Sequence, residues 1–423
     1  MAEMHSNAAL LILAKMRTLA ISLREKCEPY QTFVVLFIAI VLLLGRGYHR
    51  FVYPQFWAED GRNWFADAHN SGMVATIAIP YSGYLHVLPR LIASTVSWLR
   101  PDVAAIMIFL WWIFMQAGMA IMIWRRRSVI GGGLTILVLT SMILAPYAQE
   151  VYGNLTNLMW YGAVLMAVLC SIATKVRLNV SEYVMAAILG LSGPHSILIG
   201  AIMVFGALIK RKRYDPLFCV IIAVCSTIVV GLVMFSGRNA TEINYPMSLV
   251  PAIVGKHVML GGVAGLDAVT GVGAKVPLVG FWILGMAVFC LLGWGIVRGN
   301  VLEHELAALA ILIVVASIVS PVVADHGVSF TDMMTPGVGS RYWFVPILAM
   351  KCQLMMLALH AKSRLASGLI WFCVAYGFVM DYRIGAYPNE DFMSDVVEFE
   401  EAPRGSVVDM SIYPPGWSMT IVK

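Results

Sequence analysis

The sequence predicts an all-α, polytopic membrane protein with about eleven transmembrane helices. Of its 423 residues, 60% are hydrophobic and only 13% are charged, and the mean hydropathy is +0.80. Apolar runs near the ~20 residues that a helix needs to cross a bilayer recur along the chain. This composition leaves no soluble domain of ordinary size, and the net charge of +5 does not indicate nucleic acid as a partner.

The first predicted span covers residues 32–45, and the basic residues before it set the orientation. Because Lys and Arg concentrate on the cytoplasmic side, a cytoplasmic N-terminus is predicted from Lys15, Arg17, Arg24 and Lys26. Ten further spans are predicted at 103–124, 130–146, 156–173, 183–191, 197–209, 217–236, 277–297, 306–323, 342–360 and 366–380. The odd count places the C-terminus outside, which divides the chain into a transmembrane domain, 1–380, and a small external tail, 381–423.

The first outer loop, residues 46–102, is expected to hold interfacial helices. Residues 84–99 are apolar but short, and they contain His86, Pro89 and Arg90. If they crossed the membrane, the triple arginine at 125–127 would lie outside, against the positive-inside rule. A helix along the outer interface is therefore predicted there. Residues 238–275 are expected to form a second outer loop with one interfacial helix, with a re-entrant element as the alternative.

Residues 183–191 and 197–209 form an unusual pair of apolar runs. Each is too short to cross comfortably, and the turn Ser192–Ser196 joins them before a cytoplasmic basic cluster. Irregular backbone at membrane depth is tolerated where it lines a water-filled cavity, so His195 is predicted to face such a cavity. In the alternative, the pair is one long kinked arrangement in which a backbone carbonyl satisfies His195.

The adjacent acids Glu59 and Asp60 are the strongest candidates for chemistry. They lie beside aromatic residues, a glycine and Arg62, on a predicted short helix that ends at Gly72. A helix N-terminus favours acids through its dipole and its free N–H groups, so one interpretation is a purely structural first turn. The other is a general base, or a metal or substrate clamp, held at the membrane surface.

No disulfide, metal site or cofactor is expected. Six cysteines fall inside apolar runs and Cys27 lies in the basic N-terminal segment, without a CxxC pair. Glu59, Asp60 and His69 are the nearest approach to a metal-ligand set. Neighbouring acids on a helix do not point at one position, so a divalent metal is unsupported.

Five short motifs are shared with known membrane enzymes: Trp57–Gly61, Pro80–His86 followed by Pro89–Arg90, Ser192–Ser196, Gly339–Tyr342 and Tyr413–Met419. Together they resemble bacterial multi-span glycosyltransferases of the GT-C type, including relatives of the serotype-converting O-antigen glucosyltransferases. The resemblance covers most of the chain as architecture, and the Glu-Asp-Gly loop is its most specific part. The Ser-Gly-Pro turn is followed by His195, where many similar proteins have an aromatic residue.

The resemblance implies a GT-C-like fold in the bacterial inner membrane. It also implies a sugar donor carried on a polyprenyl phosphate and an acceptor that is an envelope glycan or lipid, with transfer on the outer face. An acid of the first outer loop then activates the acceptor. Such a reaction needs a base for the acceptor hydroxyl proton and cations that stabilise the departing phosphate.

Asp60 is favoured as the base, because Gly61 leaves room for a substrate to approach the backbone, and Glu59 is the alternative. Arginine suits phosphate because its planar fork binds two oxygens at once. The candidate phosphate partners are Arg62, His86, Arg90 and Arg341. For Arg341 the alternative is an interfacial anchor that reaches lipid headgroups.

The remaining predicted substrate-binding residues are Tyr81, Tyr84, His195 and Tyr342. Tyr81 and Tyr84 are expected to stack on sugar faces, unless they only belong to the aromatic belt of the interface.

Two other functions stay open. A transporter or flippase of lipid-linked glycans would need polar groups through the depth of the membrane, where Lys351 is nearly alone. An O-antigen polymerase or ligase would rely on arginines and a histidine in a large outer loop and would lack paired acids.

Overall fold

The computed structural model describes residues 30–236, 247–319, 332–387 and 391–423. The basic residues behind the predicted cytoplasmic N-terminus, together with Cys27, lie outside the described residues. Within the described ranges the chain is mostly helical, with a single two-stranded sheet near its C-terminus.

The helices are α1 Tyr30–Arg46, α2 His49–Val52, α3 Ala66–Ser71, α4 Met73–Thr76, α5 Val87–Val96, α6 Pro101–Arg125, α7 Arg127–Ile130, α8 Gly132–Leu144, α9 Leu158–Ala173, α10 Val180–Gly190, α11 His195–Lys210, α12 Pro216–Phe235, α13 Val250–Val254, α14 Gly261–Gly271, α15 Leu278–Arg298, α16 Val301–Val319, α17 Phe344–His360, α18 Arg364–Met380 and α19 Phe392–Glu401. The strands are β1 Val407–Ile412 and β2 Trp417–Val422. Two π-helices, Asp60–Phe65 and Gly255–Leu260, and short 3₁₀ turns, Met247–Leu249, Asp332–Met334 and Ser340–Trp343, complete the regular structure.

Several helix ends follow from local sequence. At the start of α10, Asn179 accepts from Glu182 N (3.0 Å) and the Glu182 carboxylate accepts from Asn179 N (2.8 Å), which is a capping box. α12 begins with Pro216 after Asp215, whose carboxylate accepts two backbone N–H groups of the first turn. As predicted, the helix after the paired acids ends at Gly72, whose φ is +79°.

Six helical stretches of the described chain are long and apolar enough to cross a membrane: Pro101–Arg125, Pro216–Phe235, Met247–Gly271, Leu278–Arg298, Val301–Ile318 and Ser340–His360. The bent pair of α10 and α11 adds a seventh if it is one span. The protein is therefore a polytopic helical membrane protein. The predicted number of spans, about eleven, is larger than this count. Four of the predicted spans correspond to shorter apolar helices, α1, α8, α9 and α18, of 10 to 17 residues.

One predicted outer loop is instead helical. Residues 247–271 form a nearly continuous helical stretch with a hydropathy suited to a membrane span, in place of a loop with one interfacial helix. Glycines conceal this helix in the sequence because they lower helix propensity. Gly265, with φ of +80°, kinks the stretch, and a Cβ there would lie 2.8 Å from Asp381 Cβ. Close packing on the end of α18 therefore requires a glycine at this kink.

The short helices α10 and α11 meet as predicted at the turn that begins with Ser192. Their axes differ by 116°, so the two do not form one straight crossing. The Ser192 hydroxyl accepts a hydrogen bond from Leu88 N (2.9 Å), at the start of α5. At ten residues α5 is too short to span a bilayer, and its interfacial position stays a prediction.

The centre of the helical domain is formed by α9 and α17. Every residue of α9 except Met159 is buried, which is expected of a helix that is apolar on all sides and surrounded by other helices. In α17 the buried Lys351 donates from Nζ to Val374 O (2.9 Å) and lies over the Phe378 ring, 4.1 Å from its centroid. This lysine therefore has partners within the protein, as a charge at membrane depth requires.

The C-terminal tail folds back onto the first outer loop. Strands β1 and β2 pair antiparallel in the register Val407↔Val422 to Ile412↔Trp417. Ala58 N donates to Tyr413 O (2.5 Å), and Tyr413 N donates to Phe56 O (3.2 Å). This hairpin corrects the all-α prediction. Buried and exposed residues alternate along the strands because one face of the hairpin packs on the first outer loop. The alternation of apolar residues in 407–422 is too short to predict this packing from the sequence.

We expect positions 62 and 404 to lie on one side of the membrane and position 364 on the other. All three arginines are exposed, unlike Arg126 and Lys212, which were also predicted to be cytoplasmic but form ion pairs with Glu182 and Glu305. Single cysteines there, in a variant lacking the seven native cysteines, are labelled on intact cells with an impermeant maleimide. Positions 62 and 404 should react, and position 364 only after permeabilisation. Different accessibility of 62 and 404 would contradict the docking of the tail.

Candidate functional site at the outer loops

Asp60 connects the first outer loop to the 145–157 loop, the segment between α8 and α9. The side chain is 1% exposed, and its carboxylate accepts hydrogen bonds from Leu155 N (2.7 Å), Thr156 N (2.9 Å) and Thr156 Oγ1 (2.7 Å). Trp64 Nε1 donates to the same Thr156 oxygen (2.8 Å), so the hydroxyl proton is committed to Asp60. The carboxylate is thus fully engaged in joining two loops.

The burial of Asp60 and the engagement of its oxygens, and not its acidity, argue against it as the base. Burial raises its pKa to about 7, although the hydrogen bonds from Thr156 and Leu155 oppose that rise. The predicted space beside Gly61 is also filled, because a Cβ there would lie 2.9 Å from Ile412 Cδ1 and from Phe56 Cβ. The expectation that Gly61 leaves room for a substrate was therefore wrong, since the tail hairpin occupies that space.

Glu59 has a different environment, although it is adjacent in sequence. Its side chain is only partly buried and does not cap the π-helix that follows. Burial raises the pKa of the Glu59 carboxyl, and the positive charge of Arg341 opposes this effect. Of the two acids, Glu59 is therefore the one that combines partial exposure with a nearby cation.

Arg341 is held by Glu150, an acid of the 145–157 loop that the sequence analysis missed. Arg341 Nη1 donates to Glu150 Oε1, while Arg341 N (2.9 Å) and Ser340 Oγ (3.1 Å) donate to Glu150 Oε2. The only sequence signal for Glu150 was an acid in a short outer loop between two predicted spans. Glu150 thus binds the guanidinium whose positive charge also acts on Glu59.

The 145–157 loop is anchored at its beginning as well. Gln149 Nε2 donates to both oxygens of Asp381 (2.9 and 3.0 Å), and Tyr147 N donates to the same carboxylate. Arg46 donates from Nη1 to Ile143 O (2.7 Å) and from Nη2 to Ala145 O (2.5 Å). With Asp60 at its other end, this loop holds Glu150 in a defined place.

His86, Arg90, Tyr81 and Tyr84 gather around Trp64 instead. The His86 ring lies 4.8 Å from the Trp64 ring, and the Arg90 guanidinium lies over Trp64 at 4.8 Å while Nη1 binds Asp67 (3.1 Å). Burial lowers the pKa of His86 to about 3. Burial therefore disfavours the charged form of this imidazole, and the role of His86 as a phosphate partner stays a prediction.

Tyr81 and Tyr84 close a tight turn on this cluster, named here the Trp64 cluster. Tyr81 N donates to Tyr84 O (2.8 Å), and the Tyr81 ring packs edge-on against Trp64 at 5.5 Å. Tyr84 itself is buried, so its ring is not presented as an open stacking surface. These aromatic residues form the wall between the π-helix and α5.

The last three predicted residues lie in two further places. Arg62 is exposed, and its guanidinium lies over the ring of Trp417 in the tail, at 5.5 Å. His195 is 1% exposed and packs edge-on against Trp160 (4.9 Å), which in turn contacts Tyr342 (5.6 Å). Tyr342 and His195 therefore extend from Arg341 towards the α10–α11 turn, whereas Arg62 does not join this group.

Within the described ranges, no three His, Cys, Asp or Glu side chains come close enough together to hold a metal ion. The Glu59, Asp60 and His69 set, which the sequence already left unsupported, does not converge, since His69 hydrogen-bonds Ser97 O (2.7 Å) and Val422 O (2.9 Å). The side chains that the site does bring together are carboxylates, guanidinium groups and aromatic rings.

We expect Asp60→Asn to destabilise the protein. The amide keeps the shape of the side chain, but its NH2 group would face the backbone donors of the 145–157 loop, at a cost of about 2 kcal/mol. The melting temperature of the purified protein should fall. Thr156→Ser is the matched control, because it keeps the hydroxyl that donates to Asp60 and accepts from Trp64 Nε1, so its effect should be smaller. An unchanged melting temperature in the Asp60 variant would contradict the role of this carboxylate as an anchor.

No protein-family model, curated protein or solved structure matches this chain. No overall match therefore supports the resemblance of its short motifs to GT-C enzymes. The side chains described above are the remaining evidence for a function.

Proposed function

We propose that this protein is a glycosyltransferase that moves a sugar from a polyprenyl-phosphate donor to an envelope glycan or lipid on the outer face of the membrane. The observation that carries the proposal is the placement of Glu59, a partly buried acid under the charge of Arg341, which Glu150 holds in place. An acid and a fixed cation at one site are the two groups that this reaction needs.

In the proposed reaction Glu59 is the general base. The acceptor hydroxyl gives its proton to the Glu59 carboxylate as its oxygen forms a bond to the anomeric carbon of the sugar. The bond between that carbon and the phosphate oxygen breaks, and its electron pair leaves with the polyprenyl phosphate. Arg341 stabilises the negative charge that develops on the leaving phosphate.

Asp60 serves this arrangement as a positioning residue. Its bonds to Leu155 and Thr156 tie the π-helix that follows Glu59 to the loop that carries Glu150. The distance between base and cation therefore depends on one rigid connection, and a small misplacement of either group would slow the reaction.

The proposal includes the finer topology, with about eleven crossings in a GT-C-like arrangement in a bacterial inner membrane. Helices of 16 or 17 residues, such as α1, α9 and α18, span about 25 Å at 1.5 Å per residue, somewhat short of a ~30 Å hydrocarbon core. Local thinning of the bilayer, or flanking side chains that reach the interface, accommodates such a mismatch.

Glu59→Gln should lower turnover by about 100-fold or more, because the amide cannot accept the acceptor proton. Its melting temperature and its amount in the membrane should stay close to wild type, in contrast to Asp60→Asn. Activity is measured as transfer from a purified polyprenyl-phosphate sugar, with the acceptor identified by mass spectrometry of the surface glycan and lipid from a deletion strain.

The pH dependence gives a second readout for Glu59. Wild-type turnover should rise with pH as the carboxyl loses its proton, and the midpoint should lie above 4.5 because burial raises the pKa of Glu59. The glutamine variant should lack this rise. Full activity in the glutamine variant would overturn the assignment of the base. Transport of the intact lipid-linked sugar without transfer would favour a flippase instead.

Arg341→Lys should reduce turnover while the protein remains in the membrane. Lysine keeps the positive charge and can still pair with Glu150, but it loses the second N–H pair of the planar fork that binds phosphate oxygens. We expect a loss of about tenfold in kcat/KM, greater in Arg341→Ala. Equal kinetics in the lysine variant and the wild type would restrict Arg341 to a structural role.

A further inference from the structure

Arg50 is a buried cation without a hydrogen-bond acceptor. It lies in α2, at the end of the first outer loop that adjoins α1, and is 4% exposed. Its Nε, Nη1 and Nη2 atoms have no hydrogen-bond partner among the described residues. No role was assigned to this residue from the sequence, and it takes no part in the acid and cation arrangement of the site described above.

Arg46, one turn earlier, shows what a structural arginine looks like in the same region. It is also fully buried, but both of its terminal nitrogens donate to the backbone carbonyls that begin the 145–157 loop, Ile143 O and Ala145 O. A buried guanidinium is normally satisfied in this way, because an unpaired buried charge is strongly unfavourable. The two arginines therefore differ in function.

Neighbouring residues cover one face of the Arg50 guanidinium but provide no acceptor for its N–H groups. The ring of Tyr387 lies against that face, 2.9 Å from Cζ to the ring centroid, and Tyr413 stacks behind Tyr387 at 4.3 Å. Gly153 of the 145–157 loop passes close to its edge, where an added Cβ would lie 3.6 Å from Nε. A ring against the face stabilises the cation but accepts none of its in-plane N–H donors.

We propose that Arg50 binds the phosphate of an anionic ligand, and that in this protein the ligand is the phosphate of the lipid-linked sugar donor. The first part rests on the three free nitrogens of a buried guanidinium, and the second also rests on the proposed function. Two phosphate oxygens can accept hydrogen bonds from two parallel N–H groups of the planar guanidinium. The aromatic wall of Tyr387 and Tyr413 excludes water from this contact.

The charges near Arg50 are consistent with an anion that binds only transiently. Burial lowers the pKa of Arg50, while the charge of Asp60 raises it. Since Asp60 is engaged with Leu155 and Thr156, its carboxylate does not neutralise Arg50 by direct contact. The ligand-free protein therefore contains an unpaired positive charge. A phosphate can bind there, neutralise this charge and dissociate again.

The test is a thermal-shift titration of the purified full-length protein in detergent with a polyprenyl monophosphate. Inorganic phosphate and phosphatidylglycerol are titrated separately to distinguish the source of the phosphate. We expect the polyprenyl phosphate to raise the melting temperature of the wild type. Arg50→Met should bind it at least about tenfold more weakly, and Arg50→Lys should be intermediate. Arg404→Met, which removes an exposed arginine of the tail, is the matched control and should bind as the wild type does.

The ligand-free variants give a second readout. Removing an unpaired charge should leave the melting temperature of Arg50→Met equal to wild type or higher, whereas Arg46→Met should lower it by leaving two backbone carbonyls without donors. If Arg50→Met is destabilised as much as Arg46→Met, the cation–π contact is structural and the proposal is overturned.

The outcomes also separate this inference from the proposed function. Equal binding of polyprenyl phosphate by wild type and Arg50→Met would overturn the role of Arg50 and leave the glycosyltransferase proposal to the Glu59 test. If only inorganic phosphate or phosphatidylglycerol stabilises the wild type, and Arg50→Met loses that effect, the phosphate site stands and the lipid-linked donor does not. If none of the three phosphates stabilises the wild type, the phosphate site itself is overturned.

Discussion

The buried carboxylate of Asp60 is a central contact between the first loop, residues 46–102, and the 145–157 loop. A charge with 1% exposure is tolerated only when its oxygens are hydrogen-bonded, and here Leu155 and Thr156 supply all three donors. The bond pattern fixes the π-helix of the first outer loop against the 145–157 loop. Because the two loops belong to different parts of the chain, their relative position depends on this contact together with the hydrogen bond from Trp64 Nε1 to Thr156 Oγ1.

The 145–157 loop is the frame that this connection holds. Asp381 and Arg46 bind its beginning, Asp60 binds its end, and Glu150 lies between them. Glu150 in turn sets the guanidinium of Arg341 at the start of α17. Residues of α1 and at the ends of α17 and α18 therefore hydrogen-bond a loop of irregular backbone.

The C-terminal tail has a structural role in the same assembly. Its hairpin hydrogen-bonds the backbone at Phe56 and Ala58 and fills the space beside Gly61, while Tyr387 and Tyr413 form the aromatic wall on which Arg50 lies. The segment assigned from the sequence to a small external tail thus packs on the first outer loop. Both the base of the proposed reaction and the proposed phosphate site depend on its docking.

The sequence by itself determined the membrane class, the break between α10 and α11, and the short helix that ends at Gly72, because hydropathy and glycine act locally. It also singled out the first outer loop. Tertiary structure alone decided which of two adjacent acids is buried, that Glu150 binds Arg341, that the helical stretch 247–271 replaces a loop, and that a β-hairpin covers Gly61. These outcomes depend on partners about 90 to 360 residues away along the chain or on burial within the packed domain, and no local pattern encodes either.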